Sequence, residues 1–488
     1  MNKEIAMLEP QELWLRFSEI CDIPRPSGHL DKITEYIMNY GKSLGLDTSI
    51  DEAGNVLIRK PATPGMEGYK TVVLQGHLDM VPQKNQSVTH NFENDPIDVY
   101  IDGDWVTARD TTLGADNGIG VASILAILGS NTLKHGPLEA LFTYDEETGM
   151  YGAIGLKSDL LKADILLNTD SEQEGELYVS CAGGLDINAS FQYKDIPYVL
   201  CEDEIAVKLH IKGLKGGHSG VDIHLGRANA NKLLFRFLKY AVQEYEARLA
   251  WVSGGTLRNA IPREATAVVI IPTEWKNDFY EEVAVFESVF KHEYETIEDS
   301  IMFMAEDTDT PKTLIPEPIQ DDLINAVVAC RNGVSRMIPD VPGIVETSSN
   351  LAIVESSEEL IEIKILVRSS SETMKSELAS SLESTFLLAG AKVEESGGYP
   401  GWEPNMKSPI LNIAKKVHKD VLGTEPEIMI IHAGLECGII GSKYPNLDMI
   451  SFGPTIKYPH SPDEKVDIAS VDRYWKFLTN LLENIPRR

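Results

Sequence analysis

The sequence predicts an α/β protein: a domain with a central, mostly parallel sheet, interrupted by an inserted domain of α+β texture. Three observations carry this. Apolar, β-branched runs alternate with helical segments up to about residue 185. Beyond it, alternating strands surround long amphipathic helices. The α/β texture then resumes after Gly397-Gly398-Tyr399-Pro400-Gly401-Trp402, a Gly/Pro-rich hinge candidate. The expected division is 1–185 and 401–488 for the first domain and 186–400 for the insert, and 488 residues are too many for one core.

Residues Gln11 to Lys42 read as two helices around a Pro-rich joint, Ile23–Gly28, with Leu13, Leu15, Phe17, Ile20, Ile33, Tyr36, Ile37 and Tyr40 facing a core. Short strands follow at Asp47–Asp51 and Val56–Arg59. Thr71–Leu74 is a buried strand that runs without a turn signal into Gln75-Gly76-His77. TTLGADNGIG, residues 111–120, is a Gly-rich loop leading into an apolar helix over Val121–Leu128. It lacks the G-K-[ST] and G-x-G-x-x-G patterns of phosphate loops, and Asp116 would repel a phosphate. Strands at Leu138–Tyr144 and Ala163–Asn168 end in acidic residues. In the insert, strands Ile205–Ile211, Ala265–Ile271 and Leu360–Val367 accompany helices Gly226–Tyr245 and Ser371–Leu388 and a shorter acidic helix near Asp278–Glu295. Helix Ile410–Val421, strands Ile428–Ile431 and Asp448–Phe452, and helix Val471–Leu482 close the chain.

Composition narrows the function. Seventy-five acidic against 44 basic residues give a net charge of −31, which repels nucleic acid and anionic membranes and excludes both as partners. No apolar run is long enough to span a bilayer, and the acidic start MNKEIAMLEPQELW lacks a signal-peptide core, so a cytoplasmic location is expected. Five dispersed cysteines without a C-x-x-C pair point to free thiols and away from a thiolate metal site.

The chemistry gathers at strand ends. His77 and Asp79 lie two apart on extended chain and so share a face, which suits a metal ligand with its orienting carboxylate and equally a core histidine satisfied by a nearby carboxylate. Asp116, Glu146 with Glu147, Asp170 and His460 also follow strands or their loops, and the carboxyl ends of parallel strands form the crevice where ligands bind. Imidazoles and carboxylates without thiolates suit zinc, manganese or cobalt, and their number suits two ions sharing a bridging carboxylate. Of the adjacent pair Glu146-Glu147, one can bind metal while the other handles protons. Taken alone the pair reads more readily as an exposed turn or an acidic helix start, and Asp170 and His460 taken singly also favour a non-functional reading.

The ordered set LQGHLDMVP, TTLGADNGIG, YDEETGM, NTDSEQEG, IHAGLECGII and FGPTIKYPHSPDE resembles the bacterial aminoacyl-histidine dipeptidases, carnosinase-like members of the dinuclear zinc peptidase superfamily. The resemblance spans essentially the whole chain. It implies a zinc-peptidase catalytic domain with an inserted lid domain, and two divalent ions, most readily zinc with cobalt or manganese as alternatives. His77 and Asp170 would hold one ion, Glu147 and His460 the other, with Asp116 as bridge. Asp79 would orient His77, and Glu146 would be the general base. A cis peptide is implied between Asp116 and Asn117. His218, in the Gly-rich loop GLKGGHSG, becomes an oxyanion stabiliser; from the residues alone it reads equally as an exposed loop histidine. Asn259 and Arg368 become groups for the peptide's terminal carboxylate, whereas Arg368 alone would read as a salt-bridge partner. His432, Gly434 and Glu436 fall near the expected pocket, Glu436 facing a substrate amine. The implied protein is a homodimer joined through the lid, cleaving Xaa-His dipeptides. A broader dipeptidase, a tripeptidase, an N-acyl-amino-acid deacylase and a non-catalytic metal-binding protein are the alternatives.

Overall fold

The computed structural model describes residues 2–339 and 341–488. The chain divides into two compact units, one made of 1–181, 402–430 and 435–488, the other of 182–401 and 431–434.

The first unit is built on strands β1 (Asp47–Ile50), β2 (Val56–Lys60), β3 (Val72–His77), β4 (Leu138–Thr143), β5 (Ile165–Asn168), β6 (Glu176–Cys181), β7 (Glu427–Ile431) and β8 (Asp448–Ser451). Their order across the sheet is β1-β2-β4-β3-β5-β8-β6-β7. The four central strands are parallel, pairing Val72 with Leu138, Val72 with Ile165, and Asp448 with Ile165. β3, β4 and β5 are buried at every position, as expected of strands covered on both faces. Helices α1 (Gln11–Cys21), α2 (Asp31–Ser43), α3 (Ala115–Gly129), α4 (Pro409–Leu422) and α5 (Ile468–Glu483) contribute Phe17, Ile37, Ile124, Ile410 and Phe477 to the same core. The strands therefore end together, and their last residues and following loops share one rim.

The second unit is a nine-stranded sheet whose pairs are antiparallel, running from edge strand Met302–Asp307 to edge strand Lys392–Tyr399. Helices Ala230–Tyr245, Lys276–Glu293, Glu317–Ala329 and Glu372–Leu388 supply Leu234, Phe279, Leu323 and Leu382 to its core. Asn229 caps the first of them, its side chain accepting from Lys232 N.

The α/β class and the alternation are as the sequence predicts, with local corrections. Leu15 is only half-buried and Trp14 takes its place in the core, because the buried stripe of α1 includes positions 13 and 14. The acidic helix Lys276–Glu293, at 18 residues, is longer than its two neighbours. Gly397 and Gly398 are part of the edge strand, at a register shift between Ser396 and Tyr399, and not a free hinge. Among the described residues, no helix is long and apolar enough to cross a membrane.

Candidate active site

His77 is the last residue of β3, and its ring is fixed from behind. Nδ1 faces Asp79 Oδ1 at 3.2 Å, which leaves Nε2 pointing into the rim, 3.0 Å from Asp116 Oδ1 and 3.1 Å from Asp170 Oδ1. Asp79, fully buried, has a second task. Its Oδ1 also accepts from Glu146 N at 2.9 Å, and Oδ2 accepts from Glu147 N at 3.1 Å and Ser27 Oγ at 2.9 Å. One carboxylate thus orients the imidazole and pins the loop after β4.

Asp116 lies in the first turn of α3, and the peptide that follows it, Asp116–Asn117, is cis. The helix can sit this close to β3 and β5 because Gly76 and Gly120 leave room for Asn117 and Thr169; a Cβ at Gly120 would stand 2.3 Å from Thr169 Oγ1. Asp116 Oδ2 lies 3.1 Å from His460 Nε2, which in turn lies 3.0 Å from Glu147 Oε1. Two groups result, His77–Asp116–Asp170 and Asp116–Glu147–His460, each with its ligand atoms within 4.8 Å of one another and sharing Asp116. Glu146 joins a third set with His77 and Glu147.

These residues fit a pair of cations. Glu147 Oε1 and Asp170 Oδ1 are buried yet accept no hydrogen bond, although each lies about 3 Å from a histidine nitrogen. Atoms that converge on a point without bonding one another are what a metal ligand set requires. The electrostatics agree. The hydrogen bond to Asp116 and the nearby carboxylate of Glu147 push His460 up to about 11. Burial, with Asp116 and Glu147 nearby, pushes Asp170 up to about 7. Burial and the carboxylates of Asp170, Glu436 and Glu147 raise Glu146 well above the carboxylate range, against the pull of His77. Four carboxylates at one rim call for positive charge.

The sequence model of peptidase family M20/M25/M40 matches residues 73–484. The chain belongs to this family. The cytosol non-specific dipeptidase of Escherichia coli (strain K12) is 47% identical over 485 residues, covering 99% of this chain and all of that protein. The crystal structure of aminoacylhistidine dipeptidase from Vibrio alginolyticus superposes with a TM-score of 0.93 at 49% identity, covering 99% of this chain and 98% of the other. Human carnosine dipeptidase 1 shares the fold, with a TM-score of 0.52 at 13% identity over 99% and 97% of the two chains. The protein is a metal-dependent peptide hydrolase.

In this M20/M25/M40 peptidase the second unit carries its own polar cluster. His218 Nδ1 accepts from Gly220 N at 3.2 Å and Val221 N at 3.0 Å, so the ring proton resides on Nε2. Burial and Arg368 hold His218 below its ordinary value and keep it neutral. His218 pairs across a short ladder with Ala260, which puts the exposed Asn259 beside it. Arg368, only 5% exposed, donates from Nη1 to Tyr399 Oη at 3.1 Å, while its Nε is buried without a partner. It forms no ion pair among the described residues. His432 Nε2 meets Ser348 Oγ at 2.8 Å, and burial with Arg368, His218 and His224 pushes it down to about 3. These groups surround Gly220, where a Cβ would lie 2.1 Å from His432 O, 3.0 Å from His218 Cε1 and 3.2 Å from Arg368 Nε. Gly434 lies against Tyr399 in the same unit. The charge of Arg368 reaches the carboxyl of Asp186, and its unpartnered Nε keeps donor capacity for an anion.

Glu436 lies in the first unit, fully buried. Its Oε2 accepts from Gln75 Nε2 at 2.6 Å and Thr143 Oγ1 at 2.7 Å, and its Oε1 has no partner. Sequence reasoning missed several supports of the peptidase site. Ser27 and the Gly28 N–H, which bonds Asp145 Oδ1 at 2.8 Å, sit in a joint with no periodic signal. Buried Arg25 and Glu464 were likewise unmarked. Only the run of polar residues in KYPHSPDE hinted at the second.

Proposed function

We propose that this peptidase hydrolyses dipeptides, preferentially Xaa-His and including β-alanyl-histidine, as a cytoplasmic homodimer joined through residues 186–400 acting as a lid. The observation that carries the reading is the pair of ligand groups that share Asp116. His77 and Asp170 would hold one ion, Glu147 and His460 the other. Two divalent ions, most readily zinc, supply Lewis acidity toward the scissile carbonyl and the attacking water when bound.

The chain's own residues perform the rest. Glu146, within reach of both His77 and Glu147, takes the proton of the attacking water and returns it to the leaving amine. His218 donates from Nε2 to the oxygen that gains charge as the carbonyl becomes tetrahedral. Arg368, with its unpaired Nε, and Asn259 receive the terminal carboxylate, with His432 and Gly434 completing that subsite. Glu436 Oε1 retains acceptor capacity for the substrate's amine. Full-length similarity to proteins named as dipeptidases supports a dipeptide substrate. The E. coli relative's name favours a second reading of broader dipeptide specificity.

A substrate panel of Xaa-His dipeptides, other dipeptides, tripeptides and N-acyl amino acids on zinc-, cobalt- and manganese-loaded protein separates these readings. Glu146→Ala is expected to abolish turnover with metal content near that of the parent. Near-normal hydrolysis by that variant would remove Glu146 from the mechanism.

A further inference from the structure

Two buried groups of opposite charge lie behind the ligand rim, and neither forms an ion pair among the described residues. Arg25, 3% exposed, donates from Nη1 to the carbonyls of Leu78 at 3.0 Å and Asp79 at 2.7 Å, and from Nη2 to the carbonyl of Gly114. Glu464, 1% exposed, accepts four backbone N–H groups in succession. Oε2 takes Leu113 at 2.8 Å and Gly114 at 2.9 Å; Oε1 takes Ala115 at 2.7 Å and Asp116 at 3.3 Å. Gly114 is therefore gripped on both sides, its carbonyl by the cation and its N–H by the anion. Its φ of +71° and the 2.6 Å that would separate a Cβ from Arg25 Nη2 both require glycine.

We infer that Arg25 and Glu464 are positioning residues that set the spacing of His77, Asp116 and His460. Arg25 holds the backbone immediately after His77 and ties it to the loop that presents Asp116. Glu464 holds that same loop and belongs to the segment that presents His460, four residues earlier. The segment is itself anchored, since Thr107 Oγ1 donates to the Glu464 carbonyl at 2.7 Å. Three stretches far apart in sequence are thus locked in one register by two side chains. Enclosing two ionisable side chains is costly, and apolar packing would avoid that cost. Metal ligands, by contrast, must be placed within a few tenths of an ångström. The clamp's bonds run to backbone groups, so they hold that spacing without help from the ligand side chains. The ligand set is thereby held ready before metal arrives. This inference rests on the two-metal reading above.

The test compares Glu464→Gln with Glu139→Gln. Glu139 is as enclosed, at 2% exposure, and also takes two backbone N–H groups, Lys162 at 2.9 Å and Ala163 at 3.1 Å, but it sits near the start of β4, away from the ligands. In chelator-treated protein, Glu464→Gln is expected to speed amide exchange at Leu113–Asp116 by about tenfold or more. It should weaken zinc binding by about tenfold to a hundredfold. It should also lower kcat with KM held within about threefold. Glu139→Gln should lower the unfolding midpoint and leave zinc affinity unchanged. The inference is overturned if Glu464→Gln binds zinc as the parent does, or if Glu139→Gln weakens zinc to the same extent. Should Glu464→Gln fail to fold, Arg25→Lys decides by the same readings, because an ammonium keeps the charge but cannot fork across three carbonyls. A parent protein that binds no zinc would instead defeat the metal reading itself.

Discussion

Replacing Asp79 by asparagine removes one oxygen and one charge while keeping the side chain's shape. The carboxylate takes four donors: His77 Nδ1, Glu146 N, Glu147 N and Ser27 Oγ. Asparagine oriented with its oxygen toward His77 and Glu146 retains those two bonds in weaker, uncharged form. The Ser27 hydroxyl can turn to accept from the new NH₂. Glu147 N–H cannot; it is left facing another donor in a dry environment. That orphan costs about 1–3 kcal/mol, and the loss of charge assistance at two bonds adds about 0.5–1 kcal/mol each. Asp79→Asn is therefore expected to destabilise the first unit by about 2–5 kcal/mol. Urea unfolding of metal-free protein measures it through tryptophan fluorescence, since Trp14, Trp105, Trp402 and Trp475 all lie in that unit. Hydrogen bonds from His77, Glu146 and Ser27 hold Asp79 below its ordinary value against the opposing effect of burial. The difference is thus fully present above pH about 4 and shrinks as pH falls through the folded value. A difference under about 0.5 kcal/mol at pH 7 would refute the double role assigned to Asp79.

Three further outcomes follow from the geometry. His432 stays neutral when folded, at about 3, but takes a proton near 6.5 when unfolded, so the second unit should lose about 2 kcal/mol between pH 6.5 and 5. His432→Asn should flatten that slope in pH-dependent denaturation; an unchanged slope would assign it elsewhere. Gly120→Ala places a methyl 2.3 Å from Thr169 Oγ1 and 2.5 Å from Asn117 Oδ1, and is expected to cost about 1–3 kcal/mol in thermal unfolding. A variant as stable as the parent would mean that α3 shifts freely. Chelation should lower the melting temperature and abolish hydrolysis, with both restored by zinc. Coincident melting curves with and without chelator would contradict a metal at Asp116.

The sequence was legible where chemistry and periodicity coincide. His77, Asp116, Glu147, Asp170 and His460 each follow a strand, a Gly-rich loop or a polar tract, so their types and positions could be read together. Asp79's grip on the loop of Glu146 could not, because a backbone N–H leaves no mark on residue type. Arg25 was hidden for a related reason. Its partners are the carbonyls of Leu78, Asp79 and Gly114, which any residue would offer. Helix Glu317–Ala329 has no counterpart in the sequence reading, although Pro316 and Pro318 flank its start and proline suits the first turn, where no intrahelical donor is needed. Gly397 and Gly398 misled in the opposite sense, as an edge strand tolerates glycine at a bulge.

The placement of β8 between β5 and β6 bears on how the protein is made. β6 ends at Cys181 and β8 begins at Asp448, 267 residues later. At about 5–20 residues per second, a ribosome needs roughly 15–50 s to deliver the missing strand. Throughout that interval the nascent chain carries β5, an Ile-Leu-Leu run with one open edge, and four acidic side chains with no His460 to close the set. The inserted unit is synthesised in full while the unit around it waits. An unpaired apolar edge of this kind invites wrong partners. Until Asp448–Ser451 is made, the central sheet of this enzyme stands with that edge unpaired.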